Sequence, residues 1–196
     1  MLFNNNEEIN QALQGIATQD NGDLIINNAD KLRGDILDKL VLNAVTNPSA
    51  EIKGLSRFII KSAALELGIV NSSIQGLYET RGRGEIKGFT VPALNIRGLP
   101  YELCRAIFRT AIKNDAGAFI FELAKSEMGY TFQKPQELSA VVLAAAIKEG
   151  YKGSVFIQGD HFQVNAKNYA QDKEKEIAGL KTLIEDGIAG GFYNID

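Results

Sequence analysis

The residues best suited to chemistry in this sequence are Asp160 and His161, which follow an apolar run over residues 153–157. His161 is the only histidine among the 196 residues. An imidazole can bind a metal ion and a carboxylate can transfer a proton, and adjacent residues bring the two groups within a few ångströms. At the end of a buried strand the pair predicts a catalytic or metal site. The alternative is a hydrogen-bonded loop histidine with a structural role.

The elements that position this pair are predicted from short apolar runs that alternate with longer amphipathic segments, a pattern typical of parallel strands joined by helices. The expected strands cover residues 88–96, 117–123 and 154–158, with a fourth beginning at 190. The expected helices cover residues 100–114, 135–149 and 168–189, with a loop over 125–134. Because the carboxyl ends of parallel strands meet at one edge, the site should gather there. Its expected members are Asn95, Glu122, Asp160, His161 and the residues after Asn194.

Residues 1–84 have a different character and are expected to form a small helical N-terminal domain. Apolar positions recur at helical spacing over residues 36–45 and 52–67, and Ser49 is a suitable cap for the second helix. A first helix is expected over 7–16, followed by loop as far as residue 30, and a short helix near Ser73. Gly82 and Gly84 interrupt the periodic pattern, so the second domain is expected to cover residues 85–196.

Composition excludes several classes of protein. The formal net charge is -3 with 23% charged residues, and the basic residues are scattered, which argues against a nucleic-acid partner. The apolar runs fall short of the roughly 20 residues that a bilayer span needs, and the N-terminus lacks the features of a secretory signal. The single cysteine, Cys104, rules out an internal disulfide, so a cytoplasmic setting is expected.

Four β/α units are too few for a closed parallel barrel, which needs eight strands over about 250 residues. We therefore expect the second domain to be α/β, the first half of a (β/α)8 TIM barrel that is truncated in its fourth strand. The other possibility is a small open sheet. Because exposed sheet edges favour association, a homo-oligomer or a pairing with the missing half is also expected.

Several of these residues together resemble the amino-terminal half of a class II, metal-dependent ketose-bisphosphate aldolase. The resemblance rests on the sequence Val-Pro-Ala-Leu-Asn at 91–95, the Asp160–His161 pair and Gly191–Phe192, and it covers residues 88–196. The same superfamily contains the non-catalytic subunit of tagatose-bisphosphate aldolase, whose pattern is approached at residues 129–131 and 159–161. The preceding helical segment has no counterpart in the common aldolases.

The resemblance implies a function and a role for each residue of the pair. It implies cleavage of a fructose- or tagatose-bisphosphate type of substrate to triose phosphates, with His161 binding a divalent metal ion, zinc by preference, and Asp160 exchanging a substrate hydroxyl proton. The ion would act as an electron sink, which removes the need for a Schiff-base lysine such as Lys125. The other metal and phosphate ligands of the family are expected beyond Asp196, so the chain alone is expected to be inactive.

Departures from the family pattern affect the expected substrate contacts, which are Asn95, Glu122 and Ser126. Ala124 stands where the aldolases often have a serine, so Ser126 is expected to supply that contact. Glu122 is charged where a neutral residue is common. It is either an additional ligand for the metal or a substrate hydroxyl, or a structural carboxylate paired with Lys125 or Arg97.

The sequence leaves three interpretations of the protein open. In the first, the full-length protein is a metal-dependent aldolase. In the second, the chain is a non-catalytic barrel subunit that stabilises a partner aldolase, and it copurifies with that partner. In the third, the helical segment makes the protein an interaction module in which Asp160 and His161 are structural.

Overall fold

The computed structural model describes residues 1–20 and 22–196 and shows a mixed α/β chain with parallel strands among helices. By their internal contacts these residues form two compact units, each discontinuous in sequence. The first unit contains Met1–Val70, Leu99–Gly117 and Ala140–Ser154, and the second contains Asn71–Gly98, Ala118–Ser139 and Val155–Asp196. The domain boundary predicted at residue 84 stays a prediction.

The strands form a two-stranded hairpin and a larger, mainly parallel sheet. Their bounds are β1 (Ala17–Asp20), β2 (Asp23–Ile26), β3 (Ile69–Ser72), β4 (Ala93–Asn95), β5 (Ile120–Ala124), β6 (Gly153–Asp160) and β7 (Asn194–Ile195). β4 pairs with β5, β5 with β6 and β6 with β7, all in parallel, and β3 also lies beside β6. Strands that follow one another along the chain from β4 to β7 are therefore neighbours in the sheet.

The helices connect these strands and fill the N-terminal segment. Their bounds are α1 (Asn6–Ala12), α2 (Ala29–Lys31), α3 (Leu37–Thr46), α4 (Ala50–Glu66), α5 (Gln75–Gly82), α6 (Pro100–Lys113), α7 (Lys125–Thr131), α8 (Pro135–Glu149), α9 (Ala166–Gln171) and α10 (Lys173–Gly190). A π-helical turn, Leu32–Ile36, joins α2 to α3. None of the helices among the described residues is long and apolar enough to cross a lipid bilayer.

The N-terminal segment confirms the two amphipathic helices predicted there but contains strands that the sequence did not suggest. α3 and α4 bury most of the predicted stripes, although Phe58 is exposed. Ser49 caps α4 by accepting a hydrogen bond from the amide of Ile52. The expected loop before residue 30 is wrong, because β1 and β2 form an antiparallel hairpin there. The short helix near Ser73 begins at Gln75 and is preceded by β3, which was not predicted.

The strands and helices after residue 90 follow the predicted order. α8 has the predicted bounds, and its residues Ala140, Val142 and Ile147 are fully buried, as expected for a helix that is apolar on every side. The loop predicted over 125–134 is wrong, because α7 occupies most of it. The single helix predicted over 168–189 is two helices, α9 and α10, and Asp172 caps the second.

Each unit has buried apolar side chains of its own. In the first unit, Leu37, Leu40, Ile60 and Ala63 are among the buried side chains of α3 and α4. In the second unit, Ile74, Ile120 and Phe156 form one cluster, with Leu77, Val91 and Ala118 packed against it. Cys104 is fully buried in α6, and burial raises the pKa of its thiol. The cluster of the second unit holds β5 and β6 in place through Ile120 and Phe156, and the polar ends of these strands contribute to the site.

Candidate functional site

A row of polar side chains crosses the parallel sheet near its carboxyl edge. The strand register pairs Asn95 with Glu122, Glu122 with Gln158, and Gln158 with Asn194. Paired residues of parallel strands lie on the same face, and side chains alternate between faces along each strand. Two positions further along, on the same face, Ala124 pairs with Asp160. The sheet thus has a polar face that ends in Asp160.

The chain turns sharply after Asp160, and the turn places His161 at the edge of the sheet. His161 has a φ of 102°, a conformation that side chains other than glycine rarely adopt. The amide of Phe162 donates to the carbonyl of Asp196 at 2.9 Å, and the amide of Asp196 donates to the carbonyl of Gly159, also at 2.9 Å. These two bonds hold the end of β7 beside the end of β6 and bring Asp196 to the Asp160–His161 pair.

Asp160, His161 and Asp196 form a cluster suited to a divalent metal ion. His161 Nε2 lies 3.3 Å from Asp160 Oδ1, and one ligand atom of each residue lies within 4.8 Å of the others. Two ligands of one zinc ion are at most about 4.4 Å apart, since each bond is about 2.0–2.2 Å long. His161 and Asp196 are exposed, so a small side-chain rotation closes that difference. The donor set, one imidazole and two carboxylates, fits a zinc-like ion.

A buried carboxylate that the sequence analysis missed, Glu127, lies next to this cluster. Its Oε2 accepts hydrogen bonds from Asn95 Nδ2 at 2.6 Å and from the amide of Ala124 at 2.9 Å, and its Oε1 lies 3.0 Å from Arg97 Nη1. Arg97 also donates to the hydroxyl of Tyr130 at 3.0 Å. Glu127 therefore orients the Asn95 amide and fixes the start of α7 on the end of β5. Because Glu127 lies in a segment that was predicted to be a loop, its sequence position did not indicate this role.

The carboxylates of the polar face perturb one another. Burial raises the pKa of Glu122, and the negative charges of Asp160, Glu127 and Asp196 raise it further. Burial also raises the pKa of Asp160, against the opposing effect of His161, and Asp196 and Glu127 add to the increase. Like charges that are held this close favour either a bound proton or a bound cation. The same conditions bring Asp160 nearer to the range in which a general base works at neutral pH.

A cleft of about 630 Å³ adjoins the cluster. Asp160 and His161 line one part of it, and Lys125 and Ser126 line another. Ser126 is exposed in the cleft, and Lys125 Nζ lies 3.6 Å from Glu176 Oε1. The cleft therefore combines groups able to hold a cation with a cationic side chain.

The structure brings the predicted site residues to one sheet edge. Asn95 and Glu122 lie in the polar row, Asp160 and His161 follow it, and Ser126 lines the cleft. The partners considered for a structural Glu122 pair elsewhere, Arg97 with Glu127 and Lys125 with Glu176, and the role of Glu122 stays a prediction. Asp196 was expected only as one of the residues after Asn194, and its proximity to Asp160 and His161 is what singles it out.

Comparisons of this chain with protein-family models, with curated proteins and with solved structures found no match.

Proposed function

We propose that this chain provides the first half of a (β/α)8 barrel of the class II aldolase type and takes part in metal-dependent cleavage of a phosphorylated ketose to triose phosphates. The observation that carries the proposal is the convergence of Asp160, His161 and Asp196 at the carboxyl edge of parallel strands, next to a cleft. Sites of parallel α/β proteins lie at this edge. The motif resemblance of residues 88–196 supports the same reaction.

Each residue has a role that follows from its chemistry. His161 and Asp196 would hold a divalent ion, zinc by preference, and such an ion polarises a substrate carbonyl. Asp160 would take the proton from the hydroxyl next to the bond that breaks during cleavage, and would return it to the same oxygen in the reverse condensation. Its raised pKa and limited exposure, 18% of the side chain, suit proton transfer better than permanent ionisation. Asn95 and Glu122 would contact substrate hydroxyls from the polar row.

The order of the strands also supports the half-barrel. In a (β/α)8 barrel each strand pairs with the next one along the chain. β4, β5, β6 and β7 pair in this order, with helices between them. The additional strand β3 comes from the N-terminal segment, which we propose is an extension peculiar to this type of barrel. The other half would supply further ligands for the metal ion and for phosphate.

The test is a cleavage assay on the natural polypeptide that carries this sequence, with fructose 1,6-bisphosphate and tagatose 1,6-bisphosphate as substrates and with or without a chelator. Asp160→Asn should keep the fold and the bound metal but lose turnover by a factor of about 10²–10⁴, as is typical of general acid–base groups. The matched control is Asp186→Asn, which removes an exposed carboxylate of α10 outside the cluster and the cleft.

The outcomes separate the proposed roles. Full turnover in Asp160→Asn would rule out proton transfer by this carboxylate. Turnover that persists after complete metal removal would rule out the metal-dependent mechanism. Metal binding without any cleavage, together with copurification of an active aldolase, would replace the catalytic proposal with the role of a stabilising barrel subunit.

A further inference from the structure

We propose that Lys125, together with Ser126, binds the phosphate group of a phosphomonoester in the cleft next to Asp160 and His161. This inference deepens the proposed function and rests on it, because it assigns the phosphate end of the substrate to named residues of the same cleft. From the sequence, Lys125 was considered as an ion-pair partner of Glu122 and as a Schiff-base nucleophile. An exposed ammonium group that pairs with Glu176 suits anion binding better than that chemistry.

The position of Lys125 follows from the strand register. Ala124 at the end of β5 pairs with Asp160 at the end of β6, so Lys125 and His161 are the first residues beyond two neighbouring strands. Both line the same cleft. A ligand that reaches the metal-binding cluster through the cleft therefore passes Lys125.

Several other polar groups that line or border the cleft are committed to internal hydrogen bonds. The amide of Asn165 donates to Glu176 Oε1 at 2.8 Å, and Asn168 Nδ2 donates to Glu176 Oε2 at 3.2 Å. Glu127 is bound by Asn95, Ala124 and Arg97, as described above. Among the described residues that line the cleft, Lys125 is the one lysine or arginine, and the Ser126 hydroxyl next to it is exposed. Gln163 also lines the cleft and offers an uncharged amide donor, so Lys125 is the charged donor there and Ser126 supplies a hydroxyl next to it.

The negative charge near the cleft should couple phosphomonoester binding to metal binding. Glu122, Glu127, Asp160 and Asp196 place four carboxylates on or near the polar face, and they repel a phosphate dianion. A cation held by His161 and Asp196, beside Asp160, would cancel much of that repulsion. Metal and phosphomonoester should therefore strengthen each other's binding by the same factor, as linkage requires.

A purely structural role for Lys125 would consist of its ion pair with Glu176. The separation of 3.6 Å and the 41% exposure of the lysine side chain indicate a weak pair. Glu176 also accepts two hydrogen bonds, one from the residue before α9 and one from α9, so it does not depend on Lys125 for its position. The two roles are separable, because Glu176→Gln removes the ion pair and leaves the ammonium group in the cleft.

The experiment measures binding of glycerol 3-phosphate, a phosphomonoester that cannot undergo aldol cleavage, to the 196-residue chain by calorimetry. Titrations are run with and without one equivalent of Zn²⁺, and glycerol serves as the uncharged comparison. We expect zinc-dependent binding that Lys125→Met weakens at least about tenfold, in line with the loss of a charge-assisted hydrogen bond. Ser126→Ala should weaken it by a smaller factor. Lys134→Met removes an exposed lysine outside the cleft and is the matched control.

Each result decides a separate point. Equal affinities in Lys125→Met, Lys134→Met and the parent chain would overturn the inference, as would a loss of affinity in Glu176→Gln that matches the loss in Lys125→Met. Equal binding of glycerol and glycerol 3-phosphate would overturn it as well. Binding that depends on Lys125 in a protein that cleaves no ketose bisphosphate would leave the inference standing and refute the proposed reaction. Cleavage of a ketose bisphosphate, together with an unchanged affinity of Lys125→Met for glycerol 3-phosphate, would refute the inference and leave the proposed reaction standing.

Discussion

At the scale of single residues, the backbone of His161 is the most informative feature of the site. A φ of 102° in a residue with a Cβ atom costs of order 1–3 kcal/mol, and such strain is concentrated at functional sites. The strained residue is the single histidine of the chain and lies beside Asp160 and Asp196. Glycine would adopt this φ without strain.

The strain predicts that two substitutions at position 161 differ in stability. His161→Gly and His161→Ala both remove the imidazole, but only glycine relieves the strained φ. The glycine variant should therefore unfold at higher urea concentration than the alanine variant, by about 1 kcal/mol in the free energy of unfolding. Equal stabilities of the two variants would show that position 161 is not strained. Loss of metal binding in both variants checks the role of the side chain separately.

Glu122 gives a prediction about pH. Its pKa is raised in the folded chain by burial and then by the neighbouring carboxylates, so the ionised form is disfavoured in the fold. The stabilisation that a raised pKa provides is complete below the unfolded-state pKa and is lost as pH rises through the folded-state pKa. In metal-free protein at pH 7, Glu122→Gln should therefore raise the melting temperature by roughly 2–3 °C, equivalent to less than about 1 kcal/mol.

The difference between Glu122→Gln and the parent chain should shrink as pH falls toward 4, where the parent carboxyl becomes protonated. Thermal unfolding at a series of pH values in the presence of a chelator measures this. Glu174→Gln is the control, because it changes an exposed carboxylate in the first turn of α10. A difference that is constant over the pH range, or that grows in acid, would contradict the proposed effect of the carboxylate cluster.

At the scale of elements, the turn after β6 depends on close packing between Gly159 and Phe162. A Cβ atom on Gly159 would lie 2.6 Å from the Phe162 ring, and one on Gly187 of α10 would lie 3.1 Å from it. The ring therefore packs between the strand and the helix and requires a glycine on each side. This packing positions Asp160 and His161, which lie between Gly159 and Phe162.

Gly159→Ala should accordingly destabilise the chain by about 1–3 kcal/mol, the usual cost of overpacking, and weaken metal binding. Gly179→Ala is the control, because a Cβ there meets no atom within 4 Å and alanine favours the helix. In a Phe162→Ala background, the additional cost of Gly159→Ala should nearly disappear. Urea unfolding of the four chains of this double-mutant cycle gives the coupling. Additive effects would show that the ring and the glycine do not constrain each other.

The predicted elements succeeded where local chemistry and the tertiary structure agree. α8 begins at Pro135 and ends before Gly150, and its apolar residues leave one interpretation. α7 was missed because polar residues mark it as a loop, whereas the structure stabilises it through the bond from the Ala124 amide to Glu127. The β1–β2 hairpin was missed because its residues show no alternating pattern. Its stability comes in part from burial of Leu24, a tertiary effect.

The residues of the candidate site that lie at strand ends could also be predicted from the sequence, whereas those brought in by tertiary contacts could not. Strand ends carried Asn95, Glu122 and Asp160, and the parallel register brings them together as expected. The contribution of Glu127 depends on its side chain, which extends from α7 back to Asn95. The contribution of Asp196 depends on backbone hydrogen bonds between the ends of β6 and β7. Spacing along the sequence does not encode such contacts, because they join residues that only the folded chain brings close.

At the scale of the whole molecule, a cation should act as a stabilising ligand. Asp160, His161 and Asp196 come from two strand ends that meet only in the folded chain, so the unfolded chain has no comparable site. A ligand that binds only the folded state adds about 2.7 kcal/mol at a free concentration of 100 times its Kd. For a chain of this size that corresponds to a rise in melting temperature of roughly 5–10 °C. Zn²⁺ should produce this rise, and excess chelator should reverse it.

The stabilisation by Zn²⁺ should require the cluster and not the acidic surface in general. His161→Ala should abolish the rise, because two carboxylates without the imidazole bind zinc weakly. Glu174→Gln should leave it unchanged, since Glu174 is exposed on α10 and lies outside the cluster. The measurement is differential scanning calorimetry with zinc content determined on the same samples. A rise of the same size in His161→Ala would place the ion elsewhere and remove the basis for a metal-dependent reaction at Asp160.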